Sequence, residues 1–410
     1  MSRVNMPTRG QLGAQWAKAQ TEWRDPAQIA SQWQEALDTP PSLLAFRTRG
    51  DWWPTLASLR ITLLVTREYE HLITALSLDR LGGEPEISFL RMPHPSGIAV
   101  DRARGVVHVA STRNPNQVYD LAPATGLLRR QELGRMDRDL VDTRPLIPVR
   151  SRFFPGCLYM HDLAFVGDTL YANAVGQNAV IRLRGDGRYE PAWWPRCIEK
   201  GGRPAFDKNY IQLNSIAAGP SLAGSYFSAS SDRLSTRRPG HQNFPVDQRG
   251  VIFSGRTREV IARGLTRPHS ARLYRKHLWV DNSGYGEVGV VADGGLTVAT
   301  RLSGWTRGLA FHRGVAFVGT SRVIPRFRQY APGLDVEKTE CGVHAIDVKS
   351  GRVLGSMIWP SGHQIFAIDW VPSTLTKGLP FTTNRRRSSG RERQLFYAFA
   401  TESTKARRAA

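Results

Sequence analysis

A six-bladed β-propeller is the fold that this sequence predicts, on three observations. Short β-type segments recur in groups of four. Six first segments of small and aliphatic residues overlay one another. Complementary fragments of one further group stand at the two ends of the chain.

The first segments read Gly97-Ile-Ala-Val, Asp162-Leu-Ala-Phe, Ser215-Ile-Ala-Ala, Ser270-Ala-Arg-Leu, Gly308-Leu-Ala-Phe and Ala367-Ile-Asp-Trp. Inner strands crowd around a narrow axis, which favours small side chains. Second segments follow at Val106–Ser111, Leu170–Val175, Tyr226–Ser231, Leu278–Ser283 and Val315–Ser321. Third segments are Gln117–Ala122, Ala179–Leu183, Gly250–Gly255, Glu287–Ala292 and Gly342–Val348. Fourth segments are Leu127–Leu133, Glu190–Pro195, Thr257–Gly264, Leu296–Leu302 and Gly351–Trp359. Turn residues such as Asp293-Gly294-Gly295 separate them.

The segment at Ala367 has no partners after it. Leu63–Glu70, His71–Leu78 and Ile87–Met92 supply second, third and fourth strands without a first. Joining the ends completes the sixth blade and leaves no open inner edge. The expected organisation is a helical N-terminal extension over 1–54, the propeller over 55–372, and a basic, partly disordered tail over 373–410. Gln11–Thr21 and Pro26–Leu37 are the helix-like stretches, and they carry Trp16, Trp23 and Trp33.

Composition agrees with many short strands: 38 Gly and 25 Pro are scattered through 410 residues. No apolar run approaches the ~18 residues of a membrane span, and Met1–Gly10 is polar, so a soluble cytoplasmic chain is expected. Cys157, Cys197 and Cys341 form no C-x-x-C pattern and read as free thiols. The net charge of +21 favours anionic partners without choosing among them. Nine Lys and Arg against Glu392 and Glu402 make the tail strongly basic.

Antiparallel blades send the first and third loops to one face and the other loops to the opposite face. The first set is short, as at Asp101–Gly105, Gly167–Thr169, Arg275–His277 and His312–Gly314. The second set holds Met136–Met160, Arg196–Leu213, Asp232–Arg249 and Arg322–Cys341. Long loops on one face of a rigid scaffold mark the expected working face.

The residues just before the inner strands, Ser96, His161, Asn214, His269, Arg307 and Phe366, form a ring at that face. His161 and His269 are candidate ligands for a divalent transition metal (Zn, Fe, Mn or Cu), and such a metal would polarise a carbonyl or activate water. Asp281 is the candidate base or ligand-orienting group, and Arg307 the candidate anion-binding catalytic residue. Arg67, Arg113, Arg322 and Asn214 are candidate substrate contacts, because guanidinium groups match carboxylate and phosphate. The alternative is a polar ring that only hydrates the channel and bonds blade backbones. No P-loop, G-x-G-x-x-G, G-x-S-x-G or H-E-x-x-H motif occurs.

Leu265-Thr-Arg-Pro-His-Ser270, Leu278-Trp-Val-Asp-Asn-Ser-Gly-Tyr-Gly-Glu287, Gly304-Trp-Thr-Arg-Gly-Leu-Ala-Phe311 and Val318-Gly-Thr-Ser321 resemble the TIGR03032 or DUF4915 family of uncharacterised bacterial proteins. Met160-His161-Asp162 and Leu213-Asn214-Ser215 stand where that family reads I-H-E and L-N-G, so Asp162 and Ser215 depart from its pattern. The resemblance covers about residues 55–372 and implies a propeller with no established activity. More distantly the architecture resembles gluconolactonase and strictosidine-synthase-like propellers, which bind a metal or substrate at this mouth.

The function expected first is therefore a metal-assisted enzyme, of hydrolase, lactonase or lyase type, acting on a small anionic metabolite or peptide. A non-catalytic scaffold that binds a protein partner is the alternative. Nucleic-acid contact through the basic tail ranks third, and no membrane contact is expected.

Overall fold

Six antiparallel sheets surround one axis in the computed structural model, which describes residues 39–78, 84–113, 116–128, 144–207, 209, 211–233, 244, 246–383 and 399–401, with 10, 13, 14 and 17. Blade 1 closes the ring. Its inner strand Ala367–Pro372 pairs with Ile61–Arg67, followed by Leu72–Leu78 and Pro85–Arg91. Blade 2 is Pro95–Asp101, Val106–Ser111, Asn116–Pro123 and Leu146–Phe154. Blade 3 is Met160–Val166, Thr169–Ala174, Ala179–Leu183 and Tyr189–Trp193. Blade 4 is Leu213–Ala217, Tyr226–Ala229, Gly250–Ser254 and Val260–Leu265. Blade 5 is Pro268–Tyr274, His277–Asn282, Glu287–Ala292 and Gly295–Arg301. Blade 6 is Trp305–His312, Val315–Ser321, Gly342–Asp347 and Val353–Ile358.

The expected fourth strand of blade 2, Leu127–Leu133, is displaced. Leu146–Phe154 takes that place and pairs along Asn116–Pro123. Its apolar ends, Leu146, Ile147 and Phe154, are buried while Val149–Ser151 and Phe153 face outward. The insertion therefore falls between the third and fourth strands, and the two faces share the long loops; residues 129–143 lie outside the described residues.

Strands also reach beyond 55–372. Arg47–Gly50 adds a fifth strand to blade 6, and Phe381–Thr382 adds one to blade 1. Between them the helix Trp52–Leu59 buries Trp52, Leu56 and Leu59, residues on one helical face, against blades 1 and 6. Arg60, left-handed at φ 54°, ends that helix. Of Gln11–Thr21 only residues 13, 14 and 17 are described, all helical, and Pro26–Leu37 lies outside the described residues.

Apolar side chains collect at the six boundaries between neighbouring blades, so the core is a ring of wedges. Polar side chains then stitch each blade to the next across the inner strands. Thr66 donates to Ser96 O (2.7 Å), Ser96 to Met160 O (2.7 Å) and Asn173 to Leu213 O (2.7 Å). Asn214 donates to Pro268 O (2.9 Å), Ser283 to Thr306 O (2.6 Å) and Ser321 to Ile365 O (3.1 Å). Removing a strut forfeits a buried hydrogen bond, a loss of about 1–3 kcal/mol where the carbonyl is left without another donor.

A bulge near the start of most inner strands turns the first residues toward the axis, with register shifts at Pro95/Ile98, Met160/Leu163, Leu213/Ser215, His269/Arg272 and Thr306/Leu309. Gly308 adopts φ +89° at the last of these, where a Cβ would meet Ile368 at 2.9 Å.

Candidate functional site

Arg307 and His161 meet across the axis, although they come from blades 6 and 3 on opposite sides of the ring. The Arg307 Nη2 donates to His161 Nδ1 at 3.4 Å, and its guanidinium lies 3.3 Å from the centre of the Phe366 ring. Phe366 also meets the His161 ring edge-on, with centroids 5.3 Å apart. Ring alignment thus brings His161, Arg307 and Phe366 together at the axis.

The polar shell behind Arg307 runs through Gln364. The Gln364 amide accepts from Arg307 Nη1 (3.0 Å) and donates to Glu68 Oε2 (3.0 Å), and Glu68 Oε1 accepts from Thr112. Arg267 approaches from the turn before blade 5. It bonds Gln212 and rests 4.4 Å over the Tyr330 ring. Among the described residues neither Arg267 nor Arg307 forms an ion pair with a carboxylate, although each is only 5% exposed. Burial is the main cause that lowers both guanidinium pKa values, Arg267 to about 10 and Arg307 to about 9.

Both histidines are neutral. Burial holds His161 and His269 well below the ordinary imidazole value, and the Arg307 and Arg267 charges push further in that direction. The His269 tautomer follows from its partner. Ser283 spends its hydroxyl proton on Thr306 O, so His269 Nδ1 must donate to Ser283 Oγ (2.9 Å). Nε2 therefore carries a lone pair, and it is buried without a partner among the described residues.

The other expected contacts divide. Asn214 and Ser96 serve as inter-blade struts, while Asn214 also sits beside His161. Arg113 is exposed, and its charge reaches both His94 and His161. Arg67 turns the other way: fully buried, it donates to Leu43 O (2.7 Å), pairs with Glu70 and packs on Trp359 (4.9 Å). Arg322 donates to Pro360 O (2.7 Å) at the edge of the mouth. Asp281 is fully buried behind His269, its backbone partner, and burial raises its carboxyl well above the ordinary value. Asp162 is structural. It binds Arg272 through both oxygens (2.7 and 3.0 Å) and accepts from Ile216 N (3.0 Å).

These residues fit a divalent metal poorly. Among the described residues no three His, Cys, Asp or Glu side chains converge to hold one. The imidazole pair stands beside two guanidinium groups, which repel a dication. The same charges suit an anion.

Sequence reading missed Arg267, Gln364 and Glu68. A usable signal was the Thr-Arg pair repeated near the starts of blades 5 and 6, Thr266-Arg267 just before the first strand and Thr306-Arg307 just inside it. Glu68 lies one residue beyond the expected Arg67, and side-chain alternation along a strand sends neighbours to opposite sides.

Similar architecture occurs in solved structures at low identity. One from a nidogen/laminin complex is 12% identical, covers 76% of this chain and 99% of that one, and gives a TM-score of 0.49. A gluconolactonase from Xanthomonas campestris is 13% identical over 74% and 86% of the two chains, at 0.42. A calcium-binding regucalcin from Agrobacterium tumefaciens is 10% identical over 62% and 71%, at 0.39. No curated protein matches the chain. The model of the domain of unknown function DUF4915 matches residues 50–378, and the chain belongs to that family.

Proposed function

We propose that the long-loop mouth binds a small hydroxylated carboxylate, held by Arg307 and Arg267 and read by His269. The observation that carries this reading is the pair of buried guanidinium groups without carboxylate partners. Burying a charge out of contact with a counter-ion is costly; Glu68 attracts Arg307 only through Gln364, and a bound anion would offset the remaining cost. The His269 Nε2 lone pair adds a second requirement, because it accepts a proton that a bare carboxylate does not offer and a hydroxyl does. Neutral His161 contributes a wall rather than a charge.

The metal-assisted reading has weaker support, since the donor set lacks a third converging ligand among the described residues. The three free thiols fit a reducing setting such as the cytoplasm, and no helix among the described residues is long and apolar enough to cross a membrane.

Calorimetric titration with lactate and propionate tests the proposal. Saturable binding of lactate, tighter than propionate by about tenfold and lost in Arg307→Gln, supports it. Absence of binding, or binding indifferent to Arg307→Gln, overturns it. Stoichiometric metal that disappears in a His161→Ala, His269→Ala double variant would restore the metal reading.

A further inference from the structure

A cavity of about 290 Å³ lies at the channel's opposite end, and neither Arg307, Arg267 nor His269 lines it. All six inner strands contribute to its lining. Ala99, Ala164, Ala218 and Ala310 leave the space, and Phe165, Tyr274, Phe311 and Trp370 shape the walls. The two arginines in the lining are already neutralised. Arg102 bonds Asp369 (3.1 Å), and Arg272 is held by Asp162.

Cations that pair with no carboxylate among the described residues stand at the rim instead. Arg275 rests 5.2 Å over Tyr274, and the Tyr274 hydroxyl accepts from Gly314 N (2.8 Å), which brings the turns of blades 5 and 6 together. Lys276 and Arg313 occupy those two turns, both exposed. The Arg313 charge reaches His312, which packs 4.0 Å from Trp370. Arg275, Lys276 and Arg313 also adopt φ of 48°, 66° and 45°. Such turn positions favour Gly, Asn or Asp, so cations are kept there against local preference.

We infer that this short-turn vestibule is a second ligand site, for an amphipathic organic anion with an aromatic body. The apolar body fills the cavity, and the anionic end meets Arg275, Lys276 and Arg313. A neutral ligand would leave the rim unused, and a small polar anion would leave the aromatic walls unused.

The test uses the full chain and two probes, 8-anilinonaphthalene-1-sulfonate and its uncharged relative N-phenyl-1-naphthylamine. The sulfonate is expected to bind saturably at one site. Filling the cavity with Ala164→Trp or, separately, Ala218→Phe weakens both probes at least about tenfold, with folding checked by circular dichroism. An Arg275→Gln, Arg313→Gln variant weakens the sulfonate about fivefold at low salt and leaves the uncharged probe unchanged. Arg307→Gln changes neither, which separates this site from the long-loop mouth. Binding that survives both cavity-filling variants, or that spreads over many weak sites, overturns the inference. So does equal loss of both probes in the charge variant.

Discussion

The Arg307 guanidinium lies 3.3 Å from the centre of the Phe366 ring, and that contact explains why an aromatic residue interrupts an otherwise polar ring. A ring face attracts a cation at little desolvation cost. Phe366 therefore supports Arg307 without neutralising it, and leaves its charge free for a ligand.

Arg307→Gln should consequently stabilise the fold while it removes anion binding. Burial lowers the folded-state pKa to about 9 from an ordinary 12.5, so the folded chain holds this proton less tightly than the unfolded chain. The resulting penalty is fully present at neutral pH and fades only as pH rises above about 9. A melting temperature about 2–4 °C higher at pH 7, with lactate binding lost, is the expected outcome. A lower melting temperature would mean that Arg307 stabilises the ring.

Asp281→Asn should behave differently with pH. Burial raises this carboxyl well above its ordinary value, so the folded state keeps a proton that the unfolded state releases above about pH 3.9. Stability from that group is present below the unfolded pKa and is lost as pH rises toward the folded one. The amide variant should melt higher than the parent at pH 7 and equally at pH 3.5. A loss of stability at pH 7 would show instead that Asp281 is ionised there, as the base expected from sequence would be.

His344 supplies an acid-sensitive point within blade 6. Its ring bonds Thr320 (2.9 Å) and Ser356 (2.8 Å), and burial pushes its pKa down to about 4. The unfolded chain protonates near pH 6.5, so stability is present above that value and is lost as pH falls toward 4, by up to about 3 kcal/mol. Denaturant midpoints at pH 7 and pH 4.5 should differ less in His344→Gln than in the parent.

Asn173→Ala should destabilise by about 2–4 kcal/mol, because Asn173 both donates to Leu213 O (2.7 Å) and accepts from Asp162 N. Urea unfolding measures the change. A shift under about 0.5 kcal/mol would mean that the blade struts contribute little.

Most of the fold was legible because blade strands repeat in order and their inner members are small. Blade 2 was misread because Leu127–Leu133 directly follows the third strand and has leucines at both ends, and only pairing along Asn116–Pro123 identifies Leu146–Phe154 as the outer strand. The site was legible in position and less so in role. Ring alignment located His161, His269 and Arg307, since equivalent inner-strand starts must converge at the axis. It did not separate Ser96 and Asn214, whose short side chains reach the neighbouring carbonyl and become struts. It also passed over Gln364, which bonds Arg307, and Glu68, which bonds Gln364, both from turns outside the aligned segment starts.

Closure of blade 1 has a consequence for synthesis. Thr66 bonds the Ala367 backbone across 301 residues, so blade 1 waits for its inner strand until the five other inner strands have been made. Until Ala367–Pro372 leaves the ribosome, Ile61–Arg67 presents a bare apolar edge on a nascent chain, and blade 6 has no completed blade 1 to lock against. Premature termination anywhere upstream of Ala367 should therefore yield insoluble product instead of a shorter soluble ring. Rejoining the termini and opening the chain between two other blades would move that vulnerable interval without altering a single contact around the axis.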